Sequence, residues 1–270
     1  MDFPKSASLI EKLIKIASDS NDTILDFFSG SATTAHAVLN TNVRDGKSRR
    51  HIQIQLPEPS NIQSNAYAEG YVTIAEIGKE RIRRAGKKIL ADLNAEIAQK
   101  EAEIEKHQQK GATDLIIAPL RAEIKDLEAH RDGLDTGFRV FKIADSNMRD
   151  VQSTPQATQQ AQLSLLVDNV KDGRKGEDLL FQVMLAWGLP LSLPIERVSV
   201  AGKELYKVAG NALYACFDER VDTELIRAIA PDKPLRVVLR DGSFAGSDND
   251  KGNAEQLLAQ LSPNTVLRVL

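Results

Sequence analysis

Residues 21–38 read Asn-Asp-Thr-Ile-Leu-Asp-Phe-Phe-Ser-Gly-Ser-Ala-Thr-Thr-Ala-His-Ala-Val, and this segment predicts the architecture around it. Residues 23–27 predict a short buried strand, residues 29–32 a turn of small side chains, and a helix follows from about Thr33. A strand of apolar and β-branched residues without polar alternation is typical of a parallel sheet that is covered on both faces. The segment therefore predicts a βα unit of an α/β domain.

The predicted turn is suited to ligand binding. Asp26 lies near the carboxyl end of the strand, where open α/β sheets bind ligands. Residues 29–32 lack bulk, and Gly30 can adopt a positive φ. The free N–H groups of the following helix would face the same spot. However, every βα unit needs a tight turn and a capped helix, so the turn alone does not decide between a ligand site and a structural connection. The candidate capping residues are Ser31, Thr33 and Thr34.

The longer string from Asp26 to Val38 resembles motif I of amino-group DNA methyltransferases, whose usual form is Asp-x-Phe-x-Gly-Ser-Gly-Thr-Thr. Ala32 replaces the commoner second glycine, which we expect to be tolerated if the turn keeps a negative φ. Upstream, Phe3-Pro4-Lys5-Ser6 and the apolar residues that follow resemble motif X, which precedes motif I in the β-type motif order.

Within that group the chain most resembles the Mod (modification) subunits of type III restriction-modification systems. The segments Gln55-Leu-Pro-Glu-Pro and Gly137-Phe-Arg-Val-Phe-Lys are similar to segments of that family, and so is the region 163–270 as a whole. The resemblance implies an adenine-specific DNA methyltransferase that transfers a methyl group from S-adenosyl-L-methionine to the exocyclic amino group of adenine.

The resemblance also implies a cofactor-binding set. Asp26, Phe28, Gly30 and the helix start at Thr33 would hold the methionine end of the cofactor, and Lys5 and Ser6 would reach its carboxylate. Two residues are candidates for binding the ribose hydroxyls: Gln55 is favoured by its position and Glu58 by its charge. The alternative for Gln55 is a solvated strand end, and the alternative for Glu58 is a loop carboxylate without a function. The predicted set is Lys5, Ser6, Asp26, Phe28, Ser29, Gly30, Ser31, Thr33, Thr34, Gln55 and Glu58, with no metal ligands.

The family's catalytic motif, Asp/Asn-Pro-Pro-Tyr/Phe, does not occur in this sequence, so no catalytic residue is predicted. In the β-type order that motif lies before motif X, and we therefore expect this chain to correspond to the carboxyl-terminal half of a Mod subunit that is inactive alone. The expected partners are double-stranded DNA in the full-length protein, the missing amino-terminal methyltransferase half, the restriction (Res) subunit and a second copy of the chain.

Two alternatives stay open beside this interpretation. The first is a non-catalytic assembly or dimerisation module without retained cofactor binding. The second is a dinucleotide-dependent oxidoreductase, which is disfavoured because the sequence contains no Gly-x-Gly-x-x-Gly run.

The expected fold class is α/β: a partial Rossmann-like S-adenosylmethionine-dependent methyltransferase domain with a helical-hairpin insertion, plus a smaller α+β carboxyl-terminal domain. The predicted boundaries are 1–151 for the first domain, with the hairpin at about 91–136, then a linker at 152–162 and the second domain at 163–270. The hairpin is either a spacer or an arm that contacts a partner. Pro119 is expected near the start of its second helix.

Composition sets the remaining bounds. The net charge of -3 is unlike that of free-standing DNA-binding proteins, although basic residues cluster at 79–88, either as a solvated helix face or as a phosphate contact. Cys216 is the sole cysteine, so an intrachain disulfide is excluded. The sequence shows neither a signal segment nor an apolar run of membrane-spanning length, so we expect a cytoplasmic protein without a membrane partner.

Overall fold

The computed structural model describes residues 5–149, 170–244 and 248–270. The chain divides into two compact units, Met1–Phe138 and Arg139–Leu270. The predicted linker, 152–162, lies outside the described residues. Each unit combines helices with a β-sheet, so the predicted mixture of α and β structure is confirmed at that level.

The amino-terminal unit is built around a βαβ segment. Strands β1 and β2 are parallel, with Thr23 beside Arg50 and Asp26 beside Gln53. Helix α2 connects them, and its alanine-rich surface is buried against α1 and α4. The elements are α1 (Ala7–Ala17), β1 (Thr23–Asp26), α2 (Thr33–Asp45), β2 (Arg50–Gln53), α3 (Asn65–Ala68), α4 (Ile74–Gln109) and α5 (Asp114–Asp132).

Two buried charged residues hold the helices of this segment in place. Glu11 of α1 is buried and accepts hydrogen bonds from Asn40, at 2.8 Å, and from Arg44 of α2. Arg49, also buried, forms an ion pair of 2.9 Å with Asp45 at the end of α2. Since a buried charge is tolerated only when it is paired and hydrogen-bonded, these contacts fix the packing of α1, α2 and the start of β2.

Helices α4 and α5 form the predicted hairpin, and they are antiparallel because Asn94 bonds to Arg131 while Lys100 pairs with Glu123. Helix α4 runs without a break through residue 91, so the base of the hairpin is continuous with the core. Pro119 is the sixth residue of α5, one turn further into the helix than expected. The cluster at the base contains Ala32, Ala35, Leu39, Ile82, Ala85, Ile89 and Leu93, with Leu127, Leu134 and Phe138 packed against it.

The carboxyl-terminal unit is a five-stranded sheet between two helical layers. The strand order is β3-β4-β5-β6-β7; β3, β4 and β5 are antiparallel neighbours, and β5-β6 and β6-β7 are parallel pairs. Helix α6 packs on one face of the sheet and α7 and α8 on the other. The elements are α6 (Gly176–Ala186), β3 (Ile195–Val200), β4 (Lys203–Val208), β5 (Leu213–Cys216), α7 (Thr223–Ile229), β6 (Arg236–Leu239), α8 (Asp248–Leu261) and β7 (Val266–Val269).

The alternating apolar residues of 137–143 predict a strand, and this prediction is wrong, because the structure assigns these residues to no strand. Arg139 donates to the carbonyls of Leu191 and Leu193, and the Phe141 ring packs edge-on against Phe181 with centroids 4.8 Å apart. Among the described residues, none of the helices has the length and apolar character needed to cross a membrane.

Candidate cofactor-binding turn

The carboxylate of Asp26 organises the connection between β1 and α2. One of its oxygens accepts a hydrogen bond of 2.6 Å from the Thr34 hydroxyl, and the other accepts one of 3.3 Å from the backbone N–H of Phe28. Thr34 therefore bonds to Asp26 and does not cap the helix. The N-cap position belongs to Ala32, which makes no side-chain cap bond, so the expected capping by Ser31, Thr33 or Thr34 is wrong.

The glycine turn, residues 29–32, is tighter than the sequence suggested. Gly30 has the anticipated positive φ, +52°, and Ala32 also lies in the left-handed region at +57°, so the condition under which we expected alanine to be tolerated is not met. The Ala32 N–H donates to the Ser29 carbonyl at 2.8 Å and closes the turn around Gly30 and Ser31. A left-handed conformation costs a residue with a Cβ about 1–2 kcal/mol, so strain is stored at the turn.

Helix α4 packs against the glycine turn and bonds to it. A Cβ added at Gly78 would lie 3.2 Å from the Gly30 carbonyl oxygen, so only glycine permits this approach without displacement. Arg81 donates to the hydroxyls of Ser31, at 3.0 Å, and Thr33, at 2.7 Å. These hydroxyls are therefore held by α4. Sequence reasoning missed this role of Gly78 and Arg81; a glycine inside a helix otherwise rich in helix-forming residues was the available signal.

Two histidines of the amino-terminal unit have lowered pKa values. Burial lowers the pKa of His36, and the positive charge of Arg81, whose Nε lies 3.4 Å from His36 Nδ1, lowers it further. Burial also lowers the pKa of His51, which lies on the inner face of β2. The pKa of the Arg81 guanidinium is itself lowered by burial.

The end of β2 brings a second polar side chain onto the turn. Gln55 Oε1 accepts a hydrogen bond of 2.7 Å from the Gly30 N–H, whereas the side chain of Glu58 is exposed. Gln53, which the sequence did not single out, lies in register with Asp26. Its Oε1 is buried and has no hydrogen-bond partner among the described residues, an unusual state for a buried acceptor and one that a ligand donor would relieve.

The remaining predicted residues lie at the periphery. Lys5 is exposed, and Ser6 precedes α1 with its hydroxyl 2.8 Å from that of Ser8. Phe28 is 81% exposed and meets Phe27 edge-on. The structure thus gathers the turn residues with Asp26 and Gln55, and it gives Lys5 and Ser6 no contact with the turn within the described ranges.

The basic cluster at 79–88 is largely neutralised within its own helix. Lys79 pairs with Glu76 at 2.5 Å, Arg84 with Glu80 at 2.9 Å, and Lys88 with Asp92 at 3.0 Å. Such exposed pairs favour a solvated helix face over a phosphate contact.

Metal and thiol chemistry receive no support in the part of the chain that the structure describes. No group of three or more His, Cys, Asp or Glu side chains there is placed to hold a metal ion. Cys216 is buried in β5, and this burial raises the pKa of its thiol to about 11.

Comparison with known proteins gives the class of the amino-terminal segment. Residues 2–90 match the model of the DNA methylase family, and this match runs from the start of α1 into the first part of α4. The glycine turn lies within this DNA methylase segment, and so do Asp26, Gln55, Gly78 and Arg81.

Individual relatives of this chain include Mod subunits of type III restriction-modification enzymes and a type II methyltransferase. The Mod subunit of the type III restriction-modification enzyme EcoP15I from Escherichia coli is 46% identical over 84 residues, which are 31% of this chain and 13% of the relative. The StyLTI Mod subunit from Salmonella typhimurium is 44% identical over 91 residues, 34% of this chain and 14% of the relative. The type II methyltransferase M.KpnI from Klebsiella pneumoniae is 37% identical over 81 residues, 30% of this chain and 19% of the relative.

The resemblance to type III Mod subunits is thereby confirmed for about the first third of the chain. The chain matches less than a fifth of the length of each of these relatives. The similarity of residues 163–270 to the carboxyl-terminal region of Mod subunits stays a prediction.

Proposed function

We propose that this chain provides the S-adenosylmethionine-binding part of an adenine-specific DNA methyltransferase that acts in a type III restriction-modification system in the cytoplasm. The observation that carries the proposal is a pair of hydrogen bonds, from the Thr34 hydroxyl to Asp26 and from the Gly30 N–H to Gln55, which hold the glycine turn at the carboxyl ends of two parallel strands. This is the place where α/β sheets bind ligands, and it lies in the DNA methylase segment.

The residues around the turn fit the cofactor's chemical groups. The first N–H groups of α2 carry the positive end of the helix dipole and suit the methionine carboxylate, with Lys5 as a second cation. The unpaired amide oxygen of Gln53 is an acceptor for a hydroxyl or amino donor. Bound S-adenosylmethionine would supply a methyl group on a sulfonium centre; the chain's own residues bind and orient that molecule.

Activation of the adenine amino group requires residues that this chain does not carry. The Asp/Asn-Pro-Pro-Tyr/Phe motif, which accepts the amino hydrogens and stacks on a flipped base, is absent from the sequence. We infer that an amino-terminal methyltransferase half supplies these residues and that the chain alone does not methylate DNA. Duplex DNA and a Res subunit are the further partners of the complete enzyme.

The test is calorimetric titration of the chain with S-adenosylmethionine, beside the variants Asp26→Ala and Asp92→Ala. Asp92 is an exposed carboxylate of α4 and serves as the matched control. We expect the wild type and the control to bind alike and Asp26→Ala to bind at least tenfold more weakly, because loss of hydrogen bonds to a charged group costs roughly 1.5–3 kcal/mol.

Absence of binding by a well-folded chain would contradict the proposal and favour an assembly module. One observation supports that second function: an apolar surface on the outer face of the β1-β2 sheet. Leu25 is 52% exposed and its register partner Ile52 is 51% exposed, although parallel sheets are normally covered on both faces. Cofactor binding separates the two functions, since an assembly module has no need of it.

A further inference from the structure

A tryptophan in the carboxyl-terminal unit carries two arginines on its ring. Trp187 follows α6, Arg236 lies on β6 and Arg268 on β7. The guanidinium carbons of Arg236 and Arg268 lie 5.2 Å and 5.5 Å from the indole centroid, within the range of cation–π contacts. We call these three residues the tryptophan cluster.

The arginines of this cluster differ from other cations of the same unit. Arg149, Arg197, Lys207 and Lys251 each form an ion pair with a carboxylate. Arg236 and Arg268 form no ion pair and no hydrogen bond to an acid within residues 5–149, 170–244 and 248–270. Two like charges held at one ring repel each other, so an external anion would stabilise the arrangement.

The position of the cluster leaves it open to a large anion. Residues Arg236, Val238 and Arg268 share one face of the sheet, because Val238 and Arg268 are register partners on the parallel strands β6 and β7. Strand β7 is the last strand of the sheet, and the Arg268 side chain is exposed. The cluster therefore lies at a sheet edge, where a flat or convex partner can reach both guanidinium groups.

The chemistry of the cluster selects phosphate groups. Guanidinium presents a planar fork of N–H donors that matches phosphate oxygens, and an indole beneath it restricts the side chain to a pre-organised orientation. Because the arginines occupy positions over the ring, the indole is not free to stack on an unpaired base, as single-strand binding requires. Contact with the backbone of a duplex fits the geometry better.

We propose that Trp187, Arg236 and Arg268 form a contact site for the phosphate backbone of double-stranded DNA. The identity of the polymer rests on the proposed function. The contact itself is independent of the cofactor site and of sequence recognition, because phosphate contacts position a protein on DNA without reading its bases.

The test uses the full chain, in which Trp187 is the sole tryptophan and therefore reports on the cluster alone. A DNA duplex of arbitrary sequence is titrated while tryptophan emission and the anisotropy of a label on the duplex are recorded at several salt concentrations. We expect a saturable change in emission that parallels the anisotropy. The double variant Arg236→Gln/Arg268→Gln should bind several-fold more weakly, and the slope of log affinity against log salt should fall in magnitude by about two, one for each lost phosphate contact.

The matched control is Arg220→Gln/Arg227→Gln, which removes the same charge from two other exposed arginines of this unit. An equal loss of affinity in the control, or an unchanged salt slope in the cluster variant, would overturn the proposal. A second result would also overturn the proposal: polyglutamate quenches the tryptophan emission, and the double variant Arg236→Gln/Arg268→Gln binds DNA as tightly as the wild type. The cluster would then bind an acidic protein surface. Arg268→Gln alone, at an exposed position, gives a slope change of about one even if the double variant unfolds. The same variants are also titrated with S-adenosylmethionine. Loss of DNA binding with cofactor binding unchanged concerns the tryptophan cluster alone, whereas absence of cofactor binding in the wild type concerns the proposed function.

Discussion

At the scale of single residues, Gly78 determines how closely α4 approaches the glycine turn. The substitution Gly78→Ala should stabilise α4 by about 0.5–1 kcal/mol, because alanine is favoured over glycine inside a helix. Its Cβ, however, would lie 3.2 Å from the Gly30 carbonyl oxygen and force the turn to move. We expect these effects to leave the free energy of unfolding within about 1 kcal/mol of wild type and to weaken S-adenosylmethionine binding several-fold.

Chemical denaturation and calorimetry measure the two quantities for Gly78→Ala. Gly252→Ala in α8 is the control, since an added Cβ there meets nothing within 4 Å. It should raise stability by about 0.5–1 kcal/mol and leave binding unchanged. Unaltered cofactor affinity in Gly78→Ala would show that the turn tolerates displacement and does not need support from α4.

His51 makes the stability of the amino-terminal unit depend on pH. Burial lowers its pKa in the folded state below the ordinary value of about 6.5. The unfolded chain therefore binds a proton that the folded chain does not, and the free energy of unfolding falls as the pH drops below about 6.5 toward the folded-state pKa. His36 acts in the same direction.

Thermal unfolding of wild type and His51→Gln at pH 7.5 and pH 5.5 checks this effect. The wild type should lose stability at the lower pH, and the variant should lose less because one of the two histidines has been removed. A change in melting temperature between pH 7.5 and 5.5 that is the same in His51→Gln as in the wild type would contradict a lowered pKa at His51.

Only some residues of the candidate site could be predicted from the sequence, and there is a physical reason why the others could not. Asp26 and Gly30 could be predicted because their roles follow from local order along one strand and turn. Arg81 and Gln53 could not, because the contact of Arg81 with the turn depends on how α4 packs and the place of Gln53 beside Asp26 depends on the pairing of β1 and β2. Thr34 was assigned to helix capping, a local rule, whereas the nearby Asp26 carboxylate is the stronger partner for its hydroxyl.

At the scale of elements, the sequence predicted the strand and helix of residues 23–38 and a helical hairpin, and the structure contains β1, α2 and the antiparallel pair of α4 and α5. The prediction failed at 137–143, where alternating apolar residues suggested a strand. There Phe141 packs edge-on against Phe181 of α6, but Val140 and Phe141 stay half exposed and Ile143 fully exposed, so the alternation marks neither a buried face nor a paired strand. Backbone pairing depends on the neighbouring strand, which the alternation does not report.

The helical hairpin separates into a base and a distal part with different expected roles. Near the base, Leu93 and Leu127 belong to the cluster that includes Ala32 of the turn. Further out, the Lys100–Glu123 pair joins α4 to α5, and Ile97 and Ile117 are buried. Replacing residues 98–121 by a short glycine-serine loop should therefore keep cofactor affinity within about twofold of wild type, as distant sites are nearly independent.

Calorimetry of the shortened chain tests this expectation, with Leu93→Ala as the comparison at the base. Leu93 is buried, so its truncation should lower the free energy of unfolding by about 2–4 kcal/mol and weaken binding through the turn. Loss of binding on shortening the hairpin would mean that the distal part takes part in the cofactor site.

At the scale of the whole molecule, an exposed apolar surface favours association with a partner. This surface is the outer face of the β1-β2 sheet, which we define by Leu25, Phe27, Ile52 and Ile54. All four side chains are about half exposed. In the part of the chain that the structure describes, the outer edges of β1 and β2 pair with no further strand. We propose that the amino-terminal methyltransferase half inferred above covers this face. Without it, the same face should make copies of the chain associate with each other, because burial of apolar surface stabilises association at roughly 25 cal/mol per Å² before the entropic cost of binding.

We therefore expect sedimentation of the isolated chain to show association that increases with concentration. Ile52→Lys/Ile54→Lys should shift that association to at least tenfold higher concentration, because each lysine would place a charge in the contact. Leu115→Lys is the matched control: this α5 residue is 86% exposed but lies outside the outer face, so its substitution should change nothing. If the control disrupts association as strongly as the double variant, the hairpin and not the sheet is the contact. If the wild type stays monomeric at all concentrations, the outer face is stable in water, and the argument for an obligatory partner at this face fails.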